Sequence, residues 1–273
     1  YWWTTETGSI LEADANPTLA GTYTLDVEVA SSGNYESVWN SFTVTVSPLE
    51  ITDENIAYDL GEDLIYNGKS QTAAFRSITV NGMPLRYELT GNTATDAGSY
   101  TMTVTGEGSF TGSVESPWKI QPRSLANAKI TLGNSLTYNG REQTQAVASV
   151  TVDGMDSPLT PDVDFQVSGN TGTNAGDYML TVESASSNFT GSADRPWSIA
   201  KLDISKASMV IIDHAPLTYN GKPQTPTNVS ITVDDLNVTV DVAVTPQTDA
   251  GRHGMTVTGK GNFTGSTEAS WYI

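Results

Sequence analysis

The chain has 273 residues, no cysteine, and 13 basic against 31 acidic side chains, so its net charge is −18. That balance excludes nucleic acid, whose phosphates would be repelled, and an anionic membrane surface. The missing thiols exclude disulfides, thiolate metal sites and cysteine nucleophiles.

One stretch organises the rest. Tyr66-Asn67-Gly68-Lys69-Ser70-Gln71-Thr72 returns as Tyr138-Asn139-Gly140-Arg141-Glu142-Gln143-Thr144 and as Tyr219-Asn220-Gly221-Lys222-Pro223-Gln224-Thr225. The spacings are 72 and 81 residues, longer than a solenoid unit and long enough for each copy to bury a thin core of its own. Each copy closes on Phe-Thr-Gly, with a Trp eight residues after the Phe.

Residues 1–48 read as the back part of such a unit, partial at its N-terminal side. Tyr1-Trp2-Trp3 begins it, and Ala20-Gly21-Thr22-Tyr23-Thr24-Leu25-Asp26-Val27 alternates as a strand. Asn34-Tyr35 takes the place of the later Asn-Phe, and Phe42-Thr43-Val44 that of the later Trp-x-Ile. The next unit, 49–122, has Leu64-Ile65-Tyr66 and Gln71-Thr72 around Asn67-Gly68, which predicts a tight hairpin with both central residues at φ > 0. A second turn follows at Asn81-Gly82. In Gly98-Ser99-Tyr100-Thr101-Met102-Thr103-Val104 the residues Tyr100, Met102 and Val104 share a face. The unit 123–200 repeats this order, with an insertion between Pro158 and Pro161. The unit 201–273 carries His253 in the Tyr place and Asp234-Asp235, without glycine, at its second turn.

Strands every 8–12 residues with turn signals between them predict an all-β chain of tandem immunoglobulin-like antiparallel β-sandwich modules. A grasp-like module, with a short helix between hairpins, is the alternative. The junctions Ser47-Pro48-Leu49, Gln121-Pro122-Arg123 and Ala200-Lys201-Leu202 are short and not Gly/Ser-rich, so the modules are expected to form an extended rod.

Ala-Gly-x-Tyr resembles the tyrosine corner of such sandwiches, where the phenol bonds back to nearby backbone. On that reading Tyr23, Tyr100 and Tyr178 are structural, and His253 is expected to have lost the corner bond. Trp118, Trp197 and Trp271 are expected as core anchors, because an aromatic at a fixed place in every unit buries a large area. Tyr1, Trp2 and Trp3 recur nowhere. Adjacent strand residues face opposite ways, so one of Trp2 and Trp3 is expected to face out, which makes these three the candidate ligand-binding residues.

No enzyme signature is present. His214 and His253 are the only histidines, and no metal-ligand pair, nucleophile elbow or phosphate loop occurs. The chain is therefore expected to be non-enzymatic, with no cofactor, no metal and no catalytic residue. No stretch approaches a transmembrane length, so no membrane insertion is expected in this segment.

Taken together, Tyr-Asn-Gly-Lys-x-Gln-Thr, Val-x-Val-Asp-Gly, Asp-Ala-Gly-x-Tyr and Gly-x-Gly-Asn-Phe-Thr-Gly followed by Trp-x-Ile resemble the MBG/YDG-type repeats of bacterial cell-surface proteins, well over 50–273 and partly over 1–48. The resemblance implies an extracellular or cell-surface location and a stalk or adhesin role, without catalytic residues to carry over. Two expectations follow. The first is a monomeric spacer that presents another domain. The second is an array that binds glycan or a host surface protein, strengthened by repetition.

Overall fold

The computed structural model describes residues 1–10, 17–206, 210–213, 215–227, 229–233 and 235–273; His214 and Asp234 lie outside them. The chain is all-β, with 56% of its residues in strands. Its one helical element among the described residues is the 3-10 turn Ile204–Lys206. It divides into two compact units, Tyr1–Arg123 and Ser124–Ile273.

The first unit holds three main sheets. Trp2–Thr5, Gly21–Val29 and Val38–Val46 form an antiparallel sheet with Gly21–Val29 in the centre. Tyr87–Thr90, Gly98–Gly106 and Ser113–Gln121 form a second, which Leu64–Ile65 joins in parallel beside Ile120–Gln121. Ile56–Leu60, Phe75–Val80 and Met83–Pro84 form the third. Strict alternation explains how the second sheet buries one face: Val114, Ser116, Trp118 and Ile120 point inward from Ser113–Gln121, and their neighbours point to water. Val104 and Val114 of that sheet share one apolar cluster with Ile78 and Val80 of the third.

The second unit repeats this order. Phe165–Ser168, Gly176–Ser184, Ser192–Ala200 and Leu136–Thr137 pair as their counterparts do, and Lys129–Leu132 pairs with Val147–Thr151 in a separate sheet. Val240–Val244, Arg252–Gly259 and Ser266–Tyr272 then form a further sheet. Its Met255, Val257 and Trp271 cluster with Ile231 and Val233. The sheets are not purely antiparallel as expected. Short parallel ladders occur at Ile120–Leu64, Ile199–Leu136, Phe110–Leu49 and Phe263–Leu202.

The Tyr-Asn-Gly loop also differs from expectation. Leu64–Ile65 and Gln71–Thr72 do not pair with each other but with Ile120–Gln121 and Thr93–Ala94. Gly68 has φ 75°, whereas Asn67 is not in the left-handed region. The asparagine instead folds its side chain back: Asn67 Oδ1 accepts the amide of Lys69 at 2.9 Å. Gln71 Nε2 closes the loop by donating to the carbonyl of Ile65 at 3.2 Å. The same pair of bonds recurs through Asn139 and Gln143, and through Asn220 and Gln224. The two-residue hairpin with both residues at positive φ is the second turn, Asn81-Gly82, at 49° and 79°.

The corner bonds are present. Tyr23, Tyr100 and Tyr178 donate their hydroxyls to the carbonyls of Leu19, Asp96 and Asn174, four residues back. His253 has not lost the bond: its Nε2 lies 2.8 Å from the carbonyl of Asp249, also four residues back. The carbonyl can only accept, so this contact places the proton on Nε2. Each ring also lies against the closing tryptophan, at 4.8 Å for Tyr100 on Trp118, 4.6 Å for Tyr178 on Trp197 and 5.0 Å for His253 on Trp271.

Trp118, Trp197 and Trp271 are buried. Their indole N–H groups donate to the carbonyls of Gly91, Gly169 and Gly254. Gly169 must be glycine: at φ 67° its Cβ would fall 2.5 Å from the carbonyl oxygen of Met179. The first sheet departs from this scheme. Val44, not Phe42, stands opposite Tyr23 as Trp118 stands opposite Tyr100, so Val44-Thr45-Val46 occupies the Trp-x-Ile place. Tyr35 is exposed, unlike the buried Phe189 and Phe263 it was expected to match.

Candidate functional site

The sequence-predicted residues Tyr1, Trp2 and Trp3 stand at and beside the start of the first sheet. Trp2 pairs with Asp26 and Trp3 with Leu25 on the central strand, so the two indoles lie on opposite faces. Tyr1 is exposed, and Trp2 and Trp3 are half-buried.

Trp2 does not stand alone. Its ring meets Trp39 edge-on at 4.8 Å, and Trp39 is exposed. The strands carry Asp26, Glu28 and Ser41 on the same face, and the Ser41 hydroxyl donates to the Asp26 carboxylate. Two indole faces beside carboxylates and hydroxyls can stack on the C–H face of a sugar ring while accepting hydrogen bonds from its hydroxyls. Trp39 was missed in the sequence. The readable sign was its phase: in Val38-Trp39-Asn40-Ser41-Phe42-Thr43-Val44 it falls with Ser41 and Thr43, on the polar side of the alternation.

Trp3 projects to the other face, with Leu25 and Phe42. Its indole N–H is buried without a hydrogen-bond partner, unlike those of the three closing tryptophans.

A cleft of about 460 Å³ opens in the first unit beside Trp118. Leu60, Leu64, Ala73 and Pro117 give it an apolar lining, and Asp63 and Lys119 bring charge. The Asp63 carboxylate accepts from Gln121 Nε2 at 2.7 Å. Its volume is in the range of small-ligand sites. The lining contains carboxylates, hydroxyls and one ammonium but no histidine or thiol. Elsewhere, the hydroxyl and amide of Ser205 donate to Asp203 and hold its carboxyl below the usual range.

Among the described residues no group of three or more His, Asp or Glu is placed to hold a metal ion. No helix among them is long and apolar enough to cross a membrane. No protein-family model matches the chain, and no curated protein matches it either.

Proposed function

We propose that the chain is a non-enzymatic spacer: tandem immunoglobulin-like β-sandwich repeats over 1–48, 49–122, 123–200 and 201–273, the first partial, forming a stiff rod in an exported bacterial cell-surface protein of adhesin type. One observation carries this reading. The recurring residues are occupied by folding. Asn and Gln close the opening loop, Tyr or His makes the corner bond, and Trp fills the core beneath it.

Stiffness has support within the second unit. Asn262 Nδ2 donates to Asn174 Oδ1 at 3.0 Å, and Asn262 Oδ1 accepts the amide of Ala175 at 2.9 Å. Tyr138 meets Phe263 edge-on at 5.4 Å. These contacts tie residues of 123–200 to residues of 201–273. In the first unit Ser109, at the place of Asn262, accepts the amide of Ala20, at the place of Ala175. Small-angle scattering tests the rod. At ~3.3 Å per strand residue a rod of these repeats is about 120–140 Å long. A compact particle would overturn the reading.

A second reading, binding of glycan or a host surface protein, is favoured by the exposed Trp2–Trp39 pair. It is tested on a glycan array with the whole chain and with Trp39→Ala. Binding that Trp39→Ala abolishes supports it, and no binding by the unaltered chain removes it.

A further inference from the structure

One buried place holds a different residue in each full repeat. Ala73, Gln145 and Pro226 follow the Gln-Thr of the opening loop, and all three are buried. The backbone around the first two is the same. The Ala73 amide donates to the carbonyl of Asn92 and the Gln145 amide to that of Asn170, both at 2.8 Å. Gly61 donates to the carbonyl of Ala74 at 3.0 Å, and Gly133 to that of Ala146 at 2.8 Å. The side chains differ. Gln145 is 3% exposed, and its Nε2 donates to the carbonyls of Asn134 at 3.3 Å and Ala146 at 3.1 Å. Ala73 has nothing beyond Cβ, so it cannot reach the corresponding carbonyls of Glu62 and Ala74.

The cleft of about 460 Å³ beside Trp118 lies at this place, with Glu62, Ala73 and Ala74 in its lining. In 123–200 the chain supplies its own flat N–H donor to two backbone acceptors. In 49–122 the place of that donor is open, and Leu60, Leu64 and Trp118 wall it. The charge of the lining narrows the donor further. Asn134 and Ser135 stand at the places of Glu62 and Asp63, so a neutral amide is built in where its neighbours are uncharged. In 49–122 both neighbours are acidic, against the single ammonium of Lys119, in a chain of net charge −18. An acidic rim favours a cation there.

We infer that this cleft is a binding site for a small planar cation, a guanidinium or amidinium carried on an apolar body. The cation donates to the Glu62 and Ala74 carbonyls as Gln145 Nε2 does to their counterparts in the next repeat. Glu62 and Asp63 offset its charge, and its body rests against Leu60, Leu64 and Trp118. A neutral amide meets the same acceptors more weakly, because a charge-assisted hydrogen bond is roughly twice as strong as a neutral one. A carboxylate has no N–H to offer and is repelled by the rim. The site goes beyond the spacer reading and stands without it.

Benzamidine is the probe. Titrated into the whole chain and followed by amide NMR, it should bind with a Kd of about 1 mM, as expected for so small a ligand. The amides of Gly61, Ala73 and Ala74 should shift, and those of Gly133, Gln145 and Ala146 should not. Benzamide should bind about tenfold more weakly, and benzoate should not bind. Ala73→Gln installs a side chain that the next repeat already accommodates on the same backbone. It should therefore stay folded, fill the cleft and abolish the shifts. Glu62→Gln should weaken benzamidine about threefold and leave benzamide unchanged. That arm decides if Ala73→Gln unfolds the repeat. No shift at the three amides, shifts that survive Ala73→Gln in a folded chain, binding of benzoate as tight as benzamidine, or an affinity indifferent to Glu62→Gln would overturn the inference.

Discussion

Replacing Trp197 by Phe tests whether the closing tryptophan is an anchor set by both volume and a hydrogen bond. Trp197 is 4% exposed, stacks on Tyr178 at 4.6 Å and 20°, and donates to the carbonyl of Gly169 at 3.1 Å. Phenylalanine keeps a ring beside Tyr178 but gives up part of the indole and its N–H. Roughly 60 Å² of lost apolar burial is about 1.5 kcal/mol at ~25 cal/mol per Å². The small void adds about 0.5 kcal/mol. Leaving the Gly169 carbonyl without its donor adds about 1 kcal/mol. The expected loss is therefore about 3 kcal/mol, large for one substitution. The second unit holds more than one sheet pair, so a single two-state unfolding curve is not the right assay. Native-state hydrogen exchange of the amides in Gly176–Ser184 and Ser192–Ala200 reads the local free energy directly. Trp3→Phe serves as the comparison: its indole is half-buried and its N–H has no acceptor, so the loss there should be about 1 kcal/mol or less. A Trp197→Phe loss under about 1 kcal/mol, or equal losses at the two positions, would refute the reasoning.

Three other outcomes are expected. His253→Phe should destabilise its sheet by about 1 kcal/mol, as Tyr178→Phe should in its own, while His253→Tyr should retain the corner, all read by exchange at Arg252–Gly259 and Gly176–Ser184. Asn262→Ala removes the bonds to Asn174 and Ala175, and should speed exchange of the Ala175 amide by about tenfold without unfolding either flanking sheet. The carboxyl of Asp203 is held below its usual value by Ser205, so the folded state favours the carboxylate. Its stabilisation is present above the unfolded carboxylate pKa of about 3.9 and is lost as pH falls through the lower folded value. Asp203→Asn should flatten that acid limb in pH-dependent unfolding.

The parts of the fold legible in the sequence are those fixed by local spacing. Ala-Gly-x-Tyr pointed to the corner because the acceptor is only four residues away. Alternation in Ser113–Gln121 pointed to the buried Trp118 and Ile120. The errors have equally specific causes. Asn67-Gly68 carries the same dipeptide as the true hairpin at Asn81-Gly82. The loop's conformation is instead fixed by Gln71 reaching back to Ile65 and by strands that find partners far along the chain. The expected loss of the corner bond at His253 does not occur, because an imidazole N–H reaches the carbonyl four residues back as a phenol does. Phe42 was matched to the closing tryptophan by its aromatic character, whereas cross-strand register gives that place to Val44. Val44 thus stands where the later repeats place a tryptophan, a substitution visible only once the strands are paired.

That substitution separates the parts of the chain that build from the parts free to act. A residue that recurs with the same partner in each repeat is constrained by the fold: changing Gln143 loosens a loop, and changing Trp197 empties a core. Contacts outside the recurring set are free of that constraint, and in the candidate site they gather on the first sheet. There Trp2 and Trp39 break the polar alternation on one face, while Phe42, Val38 and Val29 remain exposed on the other. An exposed apolar surface is unfavourable unless something covers it or uses it. The two faces also separate experimentally. Trp39→Ala should abolish sugar binding and Phe42→Ala should leave it intact, because the pleat sends the two side chains to opposite sides. If both substitutions removed sugar binding, the first sheet would be acting as one folding element rather than as two surfaces.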